Sequence, residues 1–475
     1  MTSLTASLTT DPASDVSARF AVINPADGSV ITEVADAGPA DADAAVARAR
    51  AAAPGWGARP ARERSDILLR AFGLMMQRQE DLAALISREN GKARADARAE
   101  VAYAAEYFRW YAEEAVRVRG EQFDNPPGTS KVLVSHEPVG ICVLVTPWNF
   151  PAAMATRKIG PALAVGCTAI LKPAAETPLT ALAIADILAE AGVPDGVLTV
   201  LPTSSAGPLV DRLLEHEDVR LLSFTGSTEV GRHLLERASR RVLRTAMELG
   251  GNAPFLVLAD ADLDAAVEGA MLAKMRNGGQ ACTAANRLYV HESVHDRFAE
   301  AMVARMGALR MGDAADAGVE VGPLVNDKSR RKVQELVDDA VHRGARILLG
   351  GTAPAGPGYF YPPTVLVDVP ADARILHEEV FGPVAPIVRF TDEEAVIETA
   401  NDTIHGLVAY LYTEDLRRGL ALSARLQAGM IALNRGLVSD PAAPFGGVKQ
   451  SGLGREGSTE GLHEYLETKY VATNW

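Results

Sequence analysis

The sequence predicts an α/β protein in which helices cover mostly parallel sheets. Between residues 139 and 258, the β-like runs 141–146, 168–171, 197–201, 219–225 and 255–258 alternate with the helical stretches 152–163, 180–191 and 230–239. This alternation is typical of βαβ units, whose strands lie parallel in one sheet. The runs are largely apolar, as expected for a sheet that is covered on both faces. A dinucleotide site is a common feature of such a sheet.

A helical region precedes this alternation. Residues 66–89 carry apolar side chains at three- and four-residue steps, and residues 96–118 repeat the pattern. This spacing predicts amphipathic helices that pack on a core. Residues 1–17, rich in Ser, Thr, Ala and Asp, predict a flexible tail and show no signal-peptide or transit-peptide pattern.

A second α/β region follows Gly250. Asp262 is placed to cap a helix that runs through Met275, and the loop 277–279 follows that helix. Alternation continues to about residue 434, and a Gly-rich stretch at 444–457 and a polar, aromatic tail come after it. Because 475 residues exceed one ordinary hydrophobic core, we expect two or three domains.

The composition excludes several classes of function. A formal net charge of -14, with no basic run, would repel a phosphate backbone, so we expect no nucleic-acid partner. The apolar stretches fall well below the roughly 20 residues that span a bilayer, so we expect no membrane segment. Three widely spaced cysteines predict no disulfide framework and favour a reducing, cytoplasmic location. The cysteines and histidines lack metal-ligand spacing, so no metal is expected.

Cys282 and Glu248 are the first candidates for chemistry. Cys282 follows a Gly pair that lets backbone amides approach a ligand closely, and its thiol is a candidate nucleophile. The alternative is a small buried side chain, which is how most free cysteines behave and how we interpret Cys142 and Cys167. Glu248 leads into a Gly–Gly turn ahead of a strand. Taken alone, such a residue is more often a solvated carboxylate.

Two further motifs close β-like runs. Asn149, in Thr146-Pro-Trp-Asn-Phe-Pro151, has a side-chain amide that could donate to a developing oxyanion, although an Asn in a Pro-bounded turn is the alternative. The motif Phe224-Thr-Gly-Ser-Thr-Glu-Val-Gly231 joins a strand to a helix, an arrangement that lets a helix N-terminus meet a phosphate. By itself, this glycine pattern is only weak support for phosphate binding.

In this order, the motifs resemble those of the aldehyde dehydrogenase superfamily, and the resemblance extends from Ile23 to the C-terminus. The matching pieces are Pro147-Trp-Asn-Phe-Pro151, Lys172-Pro173, Phe224-Thr-Gly-Ser227, Glu248-Leu-Gly-Gly251, Asn277-x-Gly-Gln-x-Cys282, Glu379-x-Phe-Gly-Pro383 and Pro444-Phe-Gly-Gly447. The resemblance implies two Rossmann-like α/β domains plus a small β oligomerisation element. It also implies NAD(P)-dependent oxidation of an aldehyde to a carboxylic acid.

The resemblance also assigns the catalytic roles. Cys282, as a thiolate, would add to the aldehyde carbonyl, and the Asn149 amide with the Cys282 backbone N–H would stabilise the oxyanion of the thiohemiacetal. Loss of hydride to the nicotinamide would leave a thioester, which water activated by Glu248 would hydrolyse.

For the cofactor, the resemblance implies a set of contacts along the first domain and the second. It places Trp148 and Lys172 near the adenosine ribose, Ser227 at the pyrophosphate and Glu379 with Phe381 around the nicotinamide ribose, and Phe224, Gly226 and Leu249 complete the set. NAD-preferring relatives usually carry a Glu three residues after the Lys, where this chain has Ala175 and places Glu176 one step later. Loss of that carboxylate removes a repulsion against a 2′-phosphate, so NADP is favoured over NAD.

Within the superfamily, the sequence is most similar to bacterial succinate-semialdehyde dehydrogenases. The similarity implies that Arg157, Arg276 and Ser451 bind a carboxylate at the far end of the substrate, with Phe150 and Phe445 as walls. Two guanidinium groups suit such a charge, whereas the alternative for either Arg is an ion-pair partner elsewhere in the protein. Glutarate semialdehyde and aliphatic aldehydes are the alternative substrates.

Two positions depart from that group. Several members carry a second cysteine two residues after the nucleophile, where this chain has Ala284, so we expect no local disulfide with Cys282. Met275 replaces an aromatic residue that is common at the start of the nucleophile motif, which leaves the width of the substrate channel open.

The resemblance gives the expected domains. A dinucleotide-binding domain would comprise residues 18–120 and 141–249, with 437–449 returning to it, and a catalytic domain would comprise 250–436. The oligomerisation element would draw on 121–140 and 450–475. Strands at such an edge can be covered by a partner subunit, so we expect a homodimer or homotetramer.

Overall fold

The structure is a computed structural model that describes residues 18–474. The tail predicted over residues 1–17 lies outside the described residues. In chain order the elements are β1 (Arg19–Ile23), β2 (Val30–Ala35), α1 (Pro39–Gly57), α2 (Ala61–Gln77), α3 (Gln79–Asn90), α4 (Arg94–Ala115), β3 (Glu121–Asp124), β4 (Lys131–Pro138), β5 (Ile141–Val145), α5 (Pro151–Val165), β6 (Thr168–Lys172), α6 (Pro178–Ala191), β7 (Leu198–Val200), α7 (Ala206–Glu215), β8 (Val219–Thr225), α8 (Thr228–Ser239), β9 (Arg244–Glu248), β10 (Ala253–Val257), α9 (Leu263–Met275), β11 (Ala285–His291), α10 (Glu292–Gly307), α11 (Asp327–His342), β12 (Arg346–Leu349), β13 (Thr364–Val367), β14 (Val384–Phe390), α12 (Glu393–Asn401), β15 (Val408–Tyr412), α13 (Leu416–Ser423), β16 (Met430–Leu433), β17 (Gly452–Leu453), α14 (Ser458–His463) and β18 (Leu466–Thr473).

The first α/β region forms a sheet whose order, within the described residues, is β17-β9-β8-β5-β6-β7. The strands β5 to β9 are parallel, and the short β17 runs antiparallel to β9. Alternate side chains of β5 enter different cores, since Cys142 and Leu144 pack with α2, α4, α5 and α6 while Val143 packs with α1 and α7. Helices therefore cover both faces, which explains why the strand sequences are apolar throughout.

The second α/β region forms another sheet, with the order β12-β13-β14-β11-β10-β15-β16 over the part of the chain that is described. Its neighbouring strands are parallel except for β12 and β13. Asp262 caps α9 as predicted, because its carboxylate accepts a hydrogen bond from the Ala265 amide at 3.1 Å. The two sheets with their helices confirm the predicted α/β fold class of two Rossmann-like units.

A three-stranded antiparallel sheet lies beside these units, in the order β18-β4-β3. Its longest pairing joins β18 to β4, from Leu466 opposite Pro138 to Thr473 opposite Lys131. Most side chains of β3 and β18 are exposed. No helix among residues 18–474 combines the length and the apolar character needed to cross a membrane.

The helical stretch predicted over 66–89 is two helices rather than one. Arg78 leaves helical geometry, with φ -101° and ψ 18°, between α2 and α3. The first turn of α3 carries Glu80 and Asp81. Acidic side chains stabilise a helix N-terminus, so these residues favour a new start at this point.

The C-terminal segment differs from its predicted boundary. Residues 437–449 were expected to return to the first domain and 450–475 to join the oligomerisation element. Instead, Gly452 and Leu453 pair with β9, and β18 alone joins the three-stranded sheet among the described residues that follow. A side chain at Gly452 would place its Cβ 2.0 Å from the Met247 carbonyl oxygen, so glycine makes this close pairing feasible.

The carboxyl ends of the parallel strands bring several loops to one edge of the first sheet. β5 leads into residues 146–150, β8 into 226–227 and β9 into 249–252. Residues 276–282, which we name the nucleophile loop, follow α9 of the second unit and meet this edge, since Asn277 Nδ2 donates to the Asn149 carbonyl at 2.9 Å. Ligands of open parallel sheets bind outside this edge.

The nucleophile loop has an unusual backbone. Asn277, Gly278 and Gly279 all adopt left-handed conformations, with φ of 53°, 59° and 78°. A Cβ at Gly279 would lie 2.1 Å from the Gly382 carbonyl oxygen, whereas a Cβ at Gly278 would have open space around it. Both positions favour glycine for its backbone freedom, but only Gly279 also needs the absence of a side chain.

We predict different outcomes for Gly278→Ala and Gly279→Ala. Gly278→Ala carries only the left-handed strain of about 1–2 kcal/mol, so its melting temperature should fall by roughly 2–6 °C. Gly279→Ala adds a clash with the Gly382 carbonyl, so its melting temperature should fall by at least twice as much, and most of the activity should be lost. Differential scanning calorimetry and aldehyde turnover check this, and equal effects of the two substitutions would contradict the assigned contact with Gly382.

Candidate active site

Asn149 and the nucleophile loop are held together by hydrogen bonds in both directions. Asn149 Nδ2 donates to the Gln280 carbonyl at 3.2 Å, and Asn277 Nδ2 donates to the Asn149 carbonyl. The Asn277 backbone amide donates in turn to Asp96 Oδ2 at 2.7 Å. One hydrogen of the Asn149 amide remains available after these bonds, so this side chain is able to donate to a ligand.

Cys282 lies at the end of the nucleophile loop and keeps part of its surface exposed. Burial raises the pKa of the Cys282 thiol to about 12, and the charge of Arg157 opposes that shift. Glu379 and Glu248 raise the pKa further, and Arg276 lowers it. Four predicted site residues are thus close enough to act electrostatically on this sulfur. A raised pKa favours the protonated thiol, so a nucleophilic role for Cys282 would require a base to remove the proton.

Glu248 closes β9 and is buried. Burial and the charge of Glu456 raise the pKa of the Glu248 carboxyl well above its usual range, while Arg157 and Lys158 oppose the shift. Among the described residues, neither carboxylate oxygen of Glu248 has a hydrogen-bond partner. Buried polar atoms without a protein partner are where ordered water or a ligand binds, so the geometry suits a residue that acts on water.

Arg157 belongs to a buried charge cluster. Glu456 forms ion pairs with both Arg157 and Lys158, and Lys158 Nζ also donates to Ser223 Oγ at 2.8 Å. Burial alone would raise the pKa of Glu456, but these two cations lower it. Of the two interpretations that the sequence left open for Arg157, the structure therefore favours the ion-pair partner. Its guanidinium carbon also lies 4.4 Å from the Phe445 ring centre.

Arg276 differs from Arg157 in its partners. Its guanidinium carbon lies 4.5 Å from the Phe150 ring centre and 5.8 Å from that of Tyr103, and Nη1 donates to Ser439 Oγ at 3.4 Å. Within residues 18–474, Arg276 forms no ion pair. A cation placed between aromatic rings and a hydroxyl, with most donors free, is suited to an anionic ligand.

Ser451, which the sequence predicts to bind the substrate carboxylate with Arg276, forms its side-chain hydrogen bonds with two backbone groups and, within residues 18–474, none with Arg276. Its hydroxyl donates to the Gly250 carbonyl at 2.7 Å and accepts from the Gly406 amide at 2.9 Å, and the side chain is fully buried. The hydroxyl beside Arg276 is that of Ser439 instead. Sequence reasoning missed Ser439 and Tyr103 because neither belongs to a recognisable motif and only the fold brings them to Arg276.

A cavity of about 370 Å³ opens next to Cys282. It is lined by Pro147, Trp148, Asn149, Met154, Thr225, Gly226, Ser227, Leu249, Gly250, Cys282, Ser329, Lys332, Glu379 and Phe381. The lining includes six of the predicted cofactor residues together with two of the three predicted catalytic residues. Ser329 and Lys332 of α11 were not predicted, because an exposed, amphipathic helix gives no signal of a binding role.

The part of the cavity wall formed by Gly226 and Ser227 is suited to a phosphate. Ser227 caps α8, accepting a hydrogen bond from the Val230 amide at 3.4 Å, so the N-terminus of α8 begins at the cavity wall. A Cβ at Gly226 would lie 2.4 Å from the Phe224 ring, which places Phe224 directly against this glycine. A helix N-terminus carries free amides and a partial positive charge, and both favour an anion.

Other residues of the lining are suited to a sugar and a flat ring. Burial raises the pKa of Glu379 to about 7, and Glu379 Oε1 accepts from the Gly251 amide at 3.4 Å. Lys332 Nζ donates to the Glu379 carbonyl at 2.8 Å. The Phe381 ring meets the Trp148 ring edge-on, with centres 5.4 Å apart. Apolar rings next to a carboxylate can hold a ring and its hydroxyl groups together.

Lys172 is the last residue of β6, and Ala175 lies in the loop that follows; neither residue lines the cavity. Burial lowers the pKa of Lys172, and the charge of Glu176 opposes that shift. Glu176 Oε1 accepts from Asn326 Nδ2 at 3.3 Å, and Ala175 is half-buried. At this position, the chain presents a cation and a small apolar side chain rather than a carboxylate.

Comparison with known proteins gives a consistent result. The chain is 53% identical over 442 residues to a succinate-semialdehyde dehydrogenase of Paenarthrobacter nicotinovorans, covering 93% of this chain and 98% of that protein. It is 49% identical to a succinate-semialdehyde dehydrogenase [NADP(+)] of Escherichia coli, covering 95% and 93%. A glutarate-semialdehyde dehydrogenase of Pseudomonas putida is also 49% identical, with the same coverage.

A solved structure shares the fold. The structure described as an Escherichia coli NADP dependent enzyme superposes with a TM-score of 0.96 at 48% identity, covering 97% of this chain and 96% of that one. Residues 12–471 match the model of the aldehyde dehydrogenase family. The resemblance inferred from the motifs is confirmed: this chain belongs to the aldehyde dehydrogenase family.

Proposed function

We propose that this enzyme oxidises a short aldehyde carrying a carboxylate at its far end, with succinate semialdehyde as the favoured substrate and NADP favoured over NAD. One observation carries the choice of substrate. Arg276 presents a guanidinium without an ion pair in the described chain, beside Phe150, Tyr103 and the Ser439 hydroxyl. Such a group binds a carboxylate through charge-assisted hydrogen bonds.

The first bond would form between Cys282 Sγ and the aldehyde carbon. Because the thiol pKa is raised, its proton has to pass to the Glu248 carboxylate, directly or through a water, as the sulfur attacks or shortly before, and Glu248 returns it to solvent before the next step. The carbonyl oxygen becomes an oxyanion, to which the free Asn149 amide hydrogen and the Cys282 backbone N–H would donate. The bond from Asn149 Nδ2 to the Gln280 carbonyl supports this role, because it holds the amide next to the nucleophile loop.

The cavity residues fit the dinucleotide that the family uses. Ser227 and the first turn of α8 would hold the pyrophosphate, Glu379 and Phe381 would hold the nicotinamide ribose, and Leu249 would flank the ring. The sequence predicted Trp148 near the adenosine ribose, but its contact with the Phe381 ring supports a place for it at the nicotinamide instead. Lys172 would bind the adenosine ribose. When bound, NAD(P)⁺ supplies the acceptor for the hydride that leaves the former aldehyde carbon.

Glu248 would then act on water. In its ionised form it would remove a proton from the water that attacks the thioester carbonyl, and this attack releases the carboxylic acid and restores Cys282. Burial raises the pKa of Glu248, which makes the carboxylate a stronger base. The two buried oxygens without protein partners leave room for that water.

Glutarate semialdehyde is the second candidate substrate. The Pseudomonas putida relative with this name is as similar to the chain as the Escherichia coli one. The two substrates differ by one methylene, and a hydrophobic pocket distinguishes such a difference by only about 1–3 kcal/mol. Arg276 could serve either carboxylate, so both aldehydes belong in the assay.

We also propose that the enzyme is a cytoplasmic homodimer or homotetramer. Phe123, Tyr470 and Val471 of the three-stranded sheet are large, exposed side chains that a second subunit would cover. The three cysteines of the sequence are all free, which supports a reducing compartment.

Arg276→Ala should reduce kcat/KM for succinate semialdehyde by roughly ten- to a hundredfold, because one charge-assisted hydrogen bond contributes about 1.5–3 kcal/mol. Butanal, which has a similar length but no carboxylate, should be oxidised nearly as well by the variant as by the wild type. Arg276→Lys keeps the charge and should recover part of the loss. Steady-state kinetics with both aldehydes check this; equal losses for the two substrates would assign Arg276 a structural role.

Ala175→Glu should shift the cofactor preference from NADP toward NAD. The added carboxylate would repel a 2′-phosphate and accept hydrogen bonds from a 2′-hydroxyl. We expect the ratio of kcat/KM for NADP to kcat/KM for NAD to fall by roughly tenfold or more. A change of this size corresponds to the loss of one ionic contact. Ala175→Gln, of the same size but uncharged, is the control and should change the ratio less. A wild-type enzyme that prefers NAD would contradict the assignment.

A further inference from the structure

A buried ion pair lies next to Asn149, outside the groups that react. Lys92, between α3 and α4, pairs with Glu100 of α4, and neither side chain is exposed to solvent. Lys92 Nζ also donates to the Asn149 carbonyl at 2.8 Å and lies 3.8 Å from the centre of the Phe150 ring. The ammonium therefore contacts the last two residues of the loop 146–150, which connects β5 to α5.

Glu100 extends this contact into the next helix. Its Oε1 accepts from the Ala152 amide at 2.9 Å and the Ala153 amide at 3.3 Å. These amides belong to the first turn of α5, which has no side-chain cap of its own. Glu100 thus satisfies free amides at the N-terminus of α5 while Lys92 holds the peptide two residues before that helix.

The turn that carries Lys92 is itself fixed. Asn90 Nδ2 donates to the Trp148 carbonyl at 3.0 Å. The turn therefore donates hydrogen bonds to two consecutive carbonyls, those of Trp148 and Asn149. Gly91 adopts φ 82°, and a Cβ there would lie 2.7 Å from Pro323 Cγ. The position of Lys92 relative to Asn149 is therefore set by the backbone as well as by the ion pair.

Stability alone does not explain a pair of this kind. Removing both charges from water has a large cost, and buried ion pairs can often be replaced by apolar residues without loss of stability. Burial lowers the pKa of Lys92, and the charge of Glu100 opposes the shift. The ion pair supplies a hydrogen-bond donor to the Asn149 carbonyl and an acceptor for the amides at the start of α5. A pair of apolar residues could supply neither.

We propose that Lys92 is a positioning residue for the oxyanion donor. By holding the Asn149 carbonyl, its ammonium fixes the peptide from which the Asn149 side-chain amide projects into the cavity beside Cys282. The inference rests on the proposed role of Asn149. Asn277 Nδ2 holds the same carbonyl from the other side, so loss of Lys92 loosens the group without releasing it.

The test uses the double substitution Lys92→Met with Glu100→Gln, which removes both charges together and leaves neither one buried alone. The readout is the first-turnover burst of reduced cofactor, which reports the steps in which the oxyanion forms. Asn149→Ala removes the donor and should slow the burst by about a hundredfold or more, as for other oxyanion donors. The double variant keeps the Asn149 donor but holds its orientation less firmly. It should slow the burst by roughly tenfold with little change in the aldehyde KM.

The decisive comparison is made in the Asn149→Ala background. If Lys92 acts through Asn149, adding Lys92→Met and Glu100→Gln to Asn149→Ala should not slow the burst further. The effects of substitutions at residues that act as a unit are not additive. A damaged fold would instead slow the burst by the same factor in both backgrounds. That result, or a wild-type burst rate in the double variant, would overturn the proposal.

Arg64→Met provides a matched control. Arg64 is a buried cation that donates to the Ala164 carbonyl at 2.9 Å, at the opposite end of the same helix, α5. Its loss should lower the melting temperature but leave the burst rate unchanged. A slowed burst in this variant would mean that any disturbance of α5 slows the burst, and it would overturn the specific role of Lys92.

Glu100→Asp is a milder change to the same ion pair. If the double variant does not fold, Glu100→Asp replaces it in the test. This substitution keeps both charges but shortens the side chain by one methylene. It should slow the burst by a few-fold in the wild-type background and not in the Asn149→Ala background. If Asn149→Ala itself leaves the burst unchanged, the oxyanion role in the proposed function fails, and the role of Lys92 fails with it. A normal Asn149→Ala defect with no Lys92 effect overturns the inference alone.

Discussion

The site depends on the pair of hydrogen bonds that joins Asn149 to the nucleophile loop. Asn149 donates to Gln280 and accepts from Asn277, so a loop of the first sheet and a loop of the second sheet fix one another. The proposed nucleophile, Cys282, and the proposed oxyanion donor, Asn149, come from different units and are separated by more than a hundred residues of chain. Their geometry is therefore a property of how the two sheets meet, and the left-handed backbone at 277–279 is what lets the loop reach the contact.

Burial is the second constraint, and it acts in the same direction on Cys282 and Glu248, the two groups proposed to react. It raises the pKa of Cys282 and of Glu248, so each holds its proton more firmly than it would in water. Arg157 lowers both pKa values, although Glu456 already pairs with it. The site thus combines a thiol and a carboxyl that are poorly ionised with a nearby cation that favours their ionised forms. This arrangement lets proton transfer accompany bond formation rather than precede it.

The parts of the fold that local sequence determines were predicted well. The apolar strand runs, the helix that Asp262 caps and the α/β class all follow from periodicity and capping. The break at Arg78 was missed because the apolar periodicity continues across it. The pairing of Gly452 and Leu453 with β9 was missed because a two-residue strand has no periodicity at all, and its partner is some two hundred residues away.

The candidate site shows the same division. Motif residues such as Trp148, Gly226, Ser227, Glu379 and Phe381 line one cavity together with Asn149 and Cys282. Ser451 was predicted to accompany Arg276, but its hydroxyl is used by two backbone groups, and Ser439 occupies that place. Sequence reasoning could name Arg157 and Arg276 as charged candidates but could not separate them. The difference lies in Glu456, which comes from the C-terminal segment and pairs with Arg157.

The central claim is that the aldehyde is held covalently by Cys282 and released by Glu248. The most direct test is intact-mass and peptide analysis of the Glu248→Gln enzyme after exposure to succinate semialdehyde and NADP. The account predicts one added succinyl group per chain, located on Cys282, with reduced cofactor formed in about equal amount, and no adduct when Cys282→Ala is added. Sustained turnover with no added mass, or an acyl group on Cys142 or Cys167, would contradict it.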